Sequence, residues 1–222
     1  MFSYSQLLLG QNENLGRELG ILNSVSLLIL GTILWFSFRS KRDTGYVLGL
    51  TVLGIGATYG TSGALTAIGV PMTFNAAMNS IPVLLLAIGV DYGLHVVKRV
   101  REEYQVISLS TDRSVESVGA MDQTSRRAAI LRGTKFTSIA LLIAIFTDMV
   151  GFLSFRLSSQ EFLVVFGTVI AIGLFYIYVL SITALPALMA LFPPKDMPIK
   201  KTVKIDESLS LIHISEPTRR SY

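Results

Sequence analysis

The chain has 222 residues, 51% of them hydrophobic and 15% charged, with a mean hydropathy of +0.57. That is too apolar and too poor in charge for an ordinary water-soluble domain, and it marks an integral membrane protein. There is no cysteine, and the two histidines, His95 and His213, stand alone, so disulfides and thiolate chemistry are excluded and a metal site is not expected.

In chain order, residues 1–18 show neither a basic leader nor a small-residue cleavage site, and so do not resemble a signal peptide. They read as the close of an extracytoplasmic domain, with Met1 as an internal methionine. Five apolar segments long enough to span a bilayer follow, at about 19–38, 46–70, 76–97, 136–155 and 162–192. The second carries Gly54, Gly56, Gly60 and Gly63, expected to let neighbouring helices approach closely where lipid supplies no hydrophobic drive for association. None of these glycines forms a phosphate-binding loop, because none follows a strand and precedes a lysine.

Lysine and arginine are unevenly shared among the connections. Arg39, Lys41 and Arg42 follow the first span, a long run from Lys98 to Lys135 follows the third, and Lys195, Lys200, Lys201 and Lys204 follow the fifth. The second-to-third turn has no charge, and the fourth-to-fifth turn has only Arg156 as a basic residue. The positive-inside rule then places the amino terminus outside and the carboxyl terminus in the cytoplasm. The net charge of +4 therefore reports topology, and no nucleic-acid partner is implied.

Between Arg99 and Lys135, apolar residues such as Val115, Val118 and Met121 are interspersed among charges, which predicts a short cytoplasmic amphipathic helix along the interface. Residues 193–208 read as a cytoplasmic loop. The segment 209–222 begins LSLIHISEPTR, which resembles the translation of a sequencing-library adapter; His213 is therefore given no role.

The feature that asks for a function is Asp91, in AIGVDYGLHVVKRVREEY. A carboxylate at the centre of a spanning helix costs about 2.5–3.5 kcal/mol on insertion scales, and Asp91 lies about 9 Å from a helix end placed at Val97. His95 shares its face at the i, i+4 spacing, and Tyr92 stands about 100° around the helix with a hydroxyl able to reach a carboxylate on a neighbouring helix. Gly89 and Gly93 open room for that neighbour. A buried aspartate that binds and releases a proton is a coupling element for a transporter driven by proton-motive force. A second acid, Asp148, sits in TDMVGFLSF of the fourth span and is open to two readings, an outward proton path or a polar contact with a water-filled cleft. No nucleophile triad, paired carboxylates at one depth or ligand cluster points to an enzyme.

The run IPVLLLAIGVDYGLHVVKRVREEY resembles the fourth transmembrane helix of the resistance-nodulation-division superfamily, in the hydrophobe/amphiphile exporter branch that holds the mycobacterial large membrane proteins and the Patched-like sterol-sensing proteins. FRSKRD, TDMVGFLSF and LSITALPALMALF agree with it in order. The resemblance implies an all-α half-bundle equivalent to family helices two to six, in the cytoplasmic membrane of a prokaryote. It implies proton-driven export of lipids or other hydrophobic molecules, with protons as the coupling ion and no bound cofactor. The family's proton-relay pair falls on Asp91 and Tyr92, and the implied partner is the other half of the pump or a second subunit; His95 and Asp148 are candidate supporting residues from their own placement, Asp148 standing where the family is expected to have a small or hydroxyl residue. A Sec-type protein-export subunit and a non-pumping, lipid-binding receptor bundle are the competing readings.

Overall fold

In the computed structural model, residues 4–38, 40–70, 72, 76–110 and 118–193 are described. Six helices account for most of them: α1 (Tyr4–Phe38), α2 (Lys41–Ala67), α3 (Ile81–Ser110), α4 (Gln123–Leu153), α5 (Glu161–Ile182) and α6 (Ala184–Leu191). Short 3-10 turns at Ala76–Ser80, Val118–Ala120 and Ser154–Leu157 join them, and there is no strand among the described residues. Five stretches are long and apolar enough to cross a membrane: Gly20–Phe38, Lys41–Ala67, Met78–Ser108, Gln123–Leu157 and Glu161–Leu191. All five expected spans are thus present, with different ends.

Those ends follow from local chemistry that hydropathy does not register. Ser40 is extended and caps α2, so the helix begins at Lys41 rather than at Tyr46. At its other end Gly69, at φ +91°, closes a Schellman turn in which the Val70 amide reaches the Leu65 carbonyl and the Gly69 amide reaches that of Thr66. Asp122 caps α4 by accepting from the Thr124 amide.

The largest departure from expectation is the polar stretch 99–135. Among the described residues it forms no separate interfacial helix: α3 runs on to Ser110, and α4 starts at Gln123. The reason is a buried stripe that outlasts the apolar run. Val96, Val100, Tyr104 and Ile107 repeat at helical spacing, and Ala129, Ile130, Gly133, Thr137 and Leu141 answer it from α4. Similarly, the expected fifth span divides at Thr183, because Pro186 has no amide to donate to the preceding turn. Residues 4–18, read as the end of an external domain, lengthen α1. The expectations for 194–208 and for the adapter-like 209–222 lie outside the described residues.

Helices α3 and α5 form the centre. Helix α5 packs against α2, α3 and α4, while α1 lies at the periphery against α2 and α3. Large apolar residues on α1 and α4, among them Leu28, Phe36, Ile143 and Phe146, point out of the bundle as a lipid-facing surface does. Backbone contact inside is close. A Cβ built at Gly133 would come within 2.8 Å of the Val100 Cα, and one at Gly173 within 2.5 Å of Leu85 Cδ1. Several buried hydroxyls are satisfied within their own helices, as where Thr51 and Thr58 donate to the Val47 and Gly54 carbonyls at 2.8 and 2.7 Å.

Candidate functional site

Asp91 owes its direction to the glycines on either side of it. A Cβ at Gly89 would meet Thr51 of α2 at 2.6 Å and Ile177 of α5 at 3.2 Å, and one at Gly93 would meet Val47 of α2 at 2.5 Å. These glycines seat α3 in the bundle. Positions two residues away on a helix stand about 200° around it, so seating Gly89 and Gly93 inward turns Asp91 outward. Its side chain is 59% exposed and that of His95 58%, with Nε2 3.6 Å from Asp91 Oδ1. That spacing is an electrostatic contact and is too long for a good hydrogen bond.

Tyr92, one residue on, is turned into the bundle and only 4% exposed. Its hydroxyl donates to Asp148 Oδ2 at 3.0 Å. Helices α3 and α4 run antiparallel, and side chains lean toward the start of their own helix. The Tyr92 phenol and the Asp148 carboxylate therefore lean toward one another. The structure brings Tyr92 and Asp148 together on the inside of the bundle, and Asp91 and His95 together on its open side.

The glycines divide as well. Gly54 faces Ile177 of α5, with a built Cβ 3.0 Å from Ile177 Cγ1, whereas Gly56, Gly60 and Gly63 have nothing within 4 Å. Those three do not seat a helix against any described residue, contrary to expectation. Closer approaches occur at Gly133, Gly167 and Gly173, which hydropathy and spacing did not single out.

Two further features lie at the end of the bundle that carries the α1–α2 and α3–α4 connections, the basic end. An open groove of about 510 Å³ runs between α3 and α4, bordered by His95, Lys98, Arg99, Glu102, Phe136 and Leu141. Beside it, Arg99 pairs with Glu102 and Glu103 at 2.9 and 3.2 Å and stands over the Phe136 ring. Deeper in, Arg101 forms an ion pair with Asp43, whose side chain is only 1% exposed, donates to the Phe38 carbonyl at 2.8 Å and lies over the Phe38 ring. In the sequence Arg101 is one of many basic residues that mark topology, and the signal for Asp43 is an acid in the first turn of a helix, directly after Ser40 and two bases. Among the described residues no three His, Asp or Glu side chains are grouped closely enough to hold a metal ion.

A family model described as the MMPL family matches residues 8–208. The chain belongs to the MMPL family. This agrees with the resemblance to the resistance-nodulation-division exporters carried by Asp91 and its surroundings. The MMPL chain is 30% identical over 146 residues to the putative membrane protein MJ1562 of Methanocaldococcus jannaschii, covering 66% of this chain and 33% of that protein. It is 26% identical over 164 residues to the hopanoid transporter HpnN of Rhodopseudomonas palustris, covering 73% and 16%. The HpnN of Burkholderia multivorans is 26% identical over 172 residues, covering 77% and 17%. The chain thus spans a third or less of the curated relatives it matches, and the two with a named activity are transporters rather than enzymes.

Proposed function

We propose that this MMPL chain is one part of a proton-driven exporter of lipids or other hydrophobic compounds, with Asp91 and Tyr92 as its proton relay. The observation that carries the reading is Asp91 itself, a carboxylate in the middle of a spanning helix, held beside His95 on the open side of the bundle. The names of the two HpnN relatives support a lipid cargo. The open side is where the rest of the pump packs, and it gives Asp91 the surroundings this chain does not supply. The basic end faces the cytoplasm of a prokaryotic plasma membrane, and the groove bordered by His95 lets water from that end approach Asp91. Residues of the groove hold no cofactor in this mechanism; the coupling ion is the proton.

In the full-length protein, Asp91→Asn is expected to abolish export of a hydrophobic dye that a protonophore also stops, with membrane expression unchanged. Tyr92→Phe should reduce export less. Gradient-dependent export at the wild-type rate in Asp91→Asn refutes the relay, and a wild-type protein that binds lipid without any gradient-dependent flux is a receptor bundle instead.

A further inference from the structure

We infer that Asp148 is a positioning residue for Tyr92: its carboxylate, on α4 of this same chain, sets the direction in which Tyr92 offers its hydroxyl proton. The inference rests on the relay proposed above and adds to it a second acid within one half of the pump.

The argument begins with cost. A tyrosine hydroxyl between two spanning helices needs only an acceptor, which a serine, a threonine or a backbone carbonyl provides. Elsewhere in this bundle that is what is used: Tyr178 donates to the Ser138 carbonyl at 3.3 Å, and Tyr176 shares a hydrogen bond with Thr61 at 2.8 Å. Tyr92 instead meets a carboxylate, the acceptor most expensive to keep in a membrane. What a carboxylate adds is a change of role with charge. Ionised, Asp148 only accepts, and Tyr92 must point its proton at it. Once Asp148 takes a proton from water, its own O–H can donate to the Tyr92 oxygen, and the Tyr92 proton is released to point elsewhere. No proton passes through Tyr92 in this step; each oxygen keeps its own, and only the direction of the hydrogen bond reverses.

The location permits this. Asp148 is half-buried and lies about 7.5 Å from the end of α4 at Leu153, while Tyr92 is closed off from the surface. Other ionisable groups on the elements around α4 are Asp91 and His95 on the far face of α3, Lys98, Arg99, Arg101, Glu102, Glu103 and Tyr104 further along α3 at the basic end, Arg156 in the adjoining turn, Glu161 at the start of α5, and Tyr176 and Tyr178 toward the basic end of α5. Among these, a Tyr92 hydrogen bond is recorded only with Asp148 within the described residues.

The test is gradient-driven dye export by the full-length protein carrying Asp148→Asn, Asp148→Glu, Tyr92→Phe and the Tyr92→Phe/Asp148→Asn pair, each corrected for membrane expression. Asp148→Asn keeps the size and an acceptor oxygen but cannot ionise. It should lower export about tenfold, the scale of one hydrogen bond to a charged group. Asp148→Glu should restore export to within about twofold, and the double variant should be no worse than the poorer single, because the two residues act through one contact. Wild-type export in Asp148→Asn or in Tyr92→Phe, failure of Asp148→Glu to restore it, or losses that multiply in the double variant each overturn the inference. Asp91→Asn measured alongside separates the two levels. Loss there with no effect at Asp148 removes only this inference, whereas export retained there removes the relay itself.

Discussion

Asp91 and Tyr92 are neighbours in sequence with opposite surroundings, and the cause is visible at the scale of single residues. Gly89 and Gly93 let α2 and α5 come within contact of the α3 backbone, which commits one face of α3 to the interior and leaves Asp91 on the other. The same reasoning separates glycines that matter to packing from those that do not. At Gly167 an added Cβ would collide with the Phe152 carbonyl oxygen, a backbone atom that cannot rotate away. Gly167→Ala is therefore expected to destabilise the purified protein by about 1–3 kcal/mol, the usual cost of overpacking. Gly56→Ala meets nothing within 4 Å and should stay within about 0.5 kcal/mol of wild type. Thermal unfolding in one lipid environment compares the two, and equal melting temperatures for both variants would count against this packing. In the sequence all of these are simply glycines in apolar helices. Which of them touches a neighbour depends on helix rotation, which one chain's spacing does not specify when apolar residues surround the helix.

At the scale of elements, α3 ties the molecule together. Its basic end carries Arg101, which reaches the carboxylate of Asp43 in the first turn of α2 and the last carbonyl of α1 at Phe38. Three helices meet in one side chain. A buried pair of this kind gives little net stability compared with apolar residues, yet removing one partner strands the other charge. Asp43→Ala should accordingly cost about 3–5 kcal/mol. Asp43→Ala with Arg101→Met should recover part of that loss, since no charge is then left unpaired. A double variant less stable than Asp43→Ala in thermal melts would show that Arg101 is held mainly by Phe38. Hydropathy made the spans legible but not their extensions, because Arg99, Glu102 and Glu103 lower the apolar average while helix and stripe continue beneath them. The break at Thr183 was legible in principle, from Pro186 alone.

For the whole molecule, five candidate spans separate a basic end from an end with few charges, and the orientation of that asymmetry decides from which side of the membrane Asp91 is approached. These 222 residues contain no cysteine that would compete for a label. In the full-length protein, Ser159→Cys should react with a membrane-impermeant maleimide added to intact cells, and Gln123→Cys only after permeabilisation. The reverse labelling pattern would put the groove at His95 on the outside and invert the proposed proton route. The chain matches 16–33% of its relatives' length.

Composition and apolar run length by themselves determined that this is a membrane protein with five stretches long and apolar enough to cross a bilayer, because a bilayer imposes a minimum apolar length that any chain must display openly. The cost of a charge in hydrocarbon made Asp91 and Asp148 conspicuous for the same reason. Only the tertiary structure decided what those acids meet. Rotation of α3, set by contacts of Gly89 and Gly93 with residues about 40 and 90 positions away in sequence, turned Asp91 to the open side and Tyr92 onto Asp148. The pairing of Asp43 with Arg101 is likewise a contact between distant segments. Periodicity along one helix carries no information about which neighbour it faces, and that is settled by packing alone.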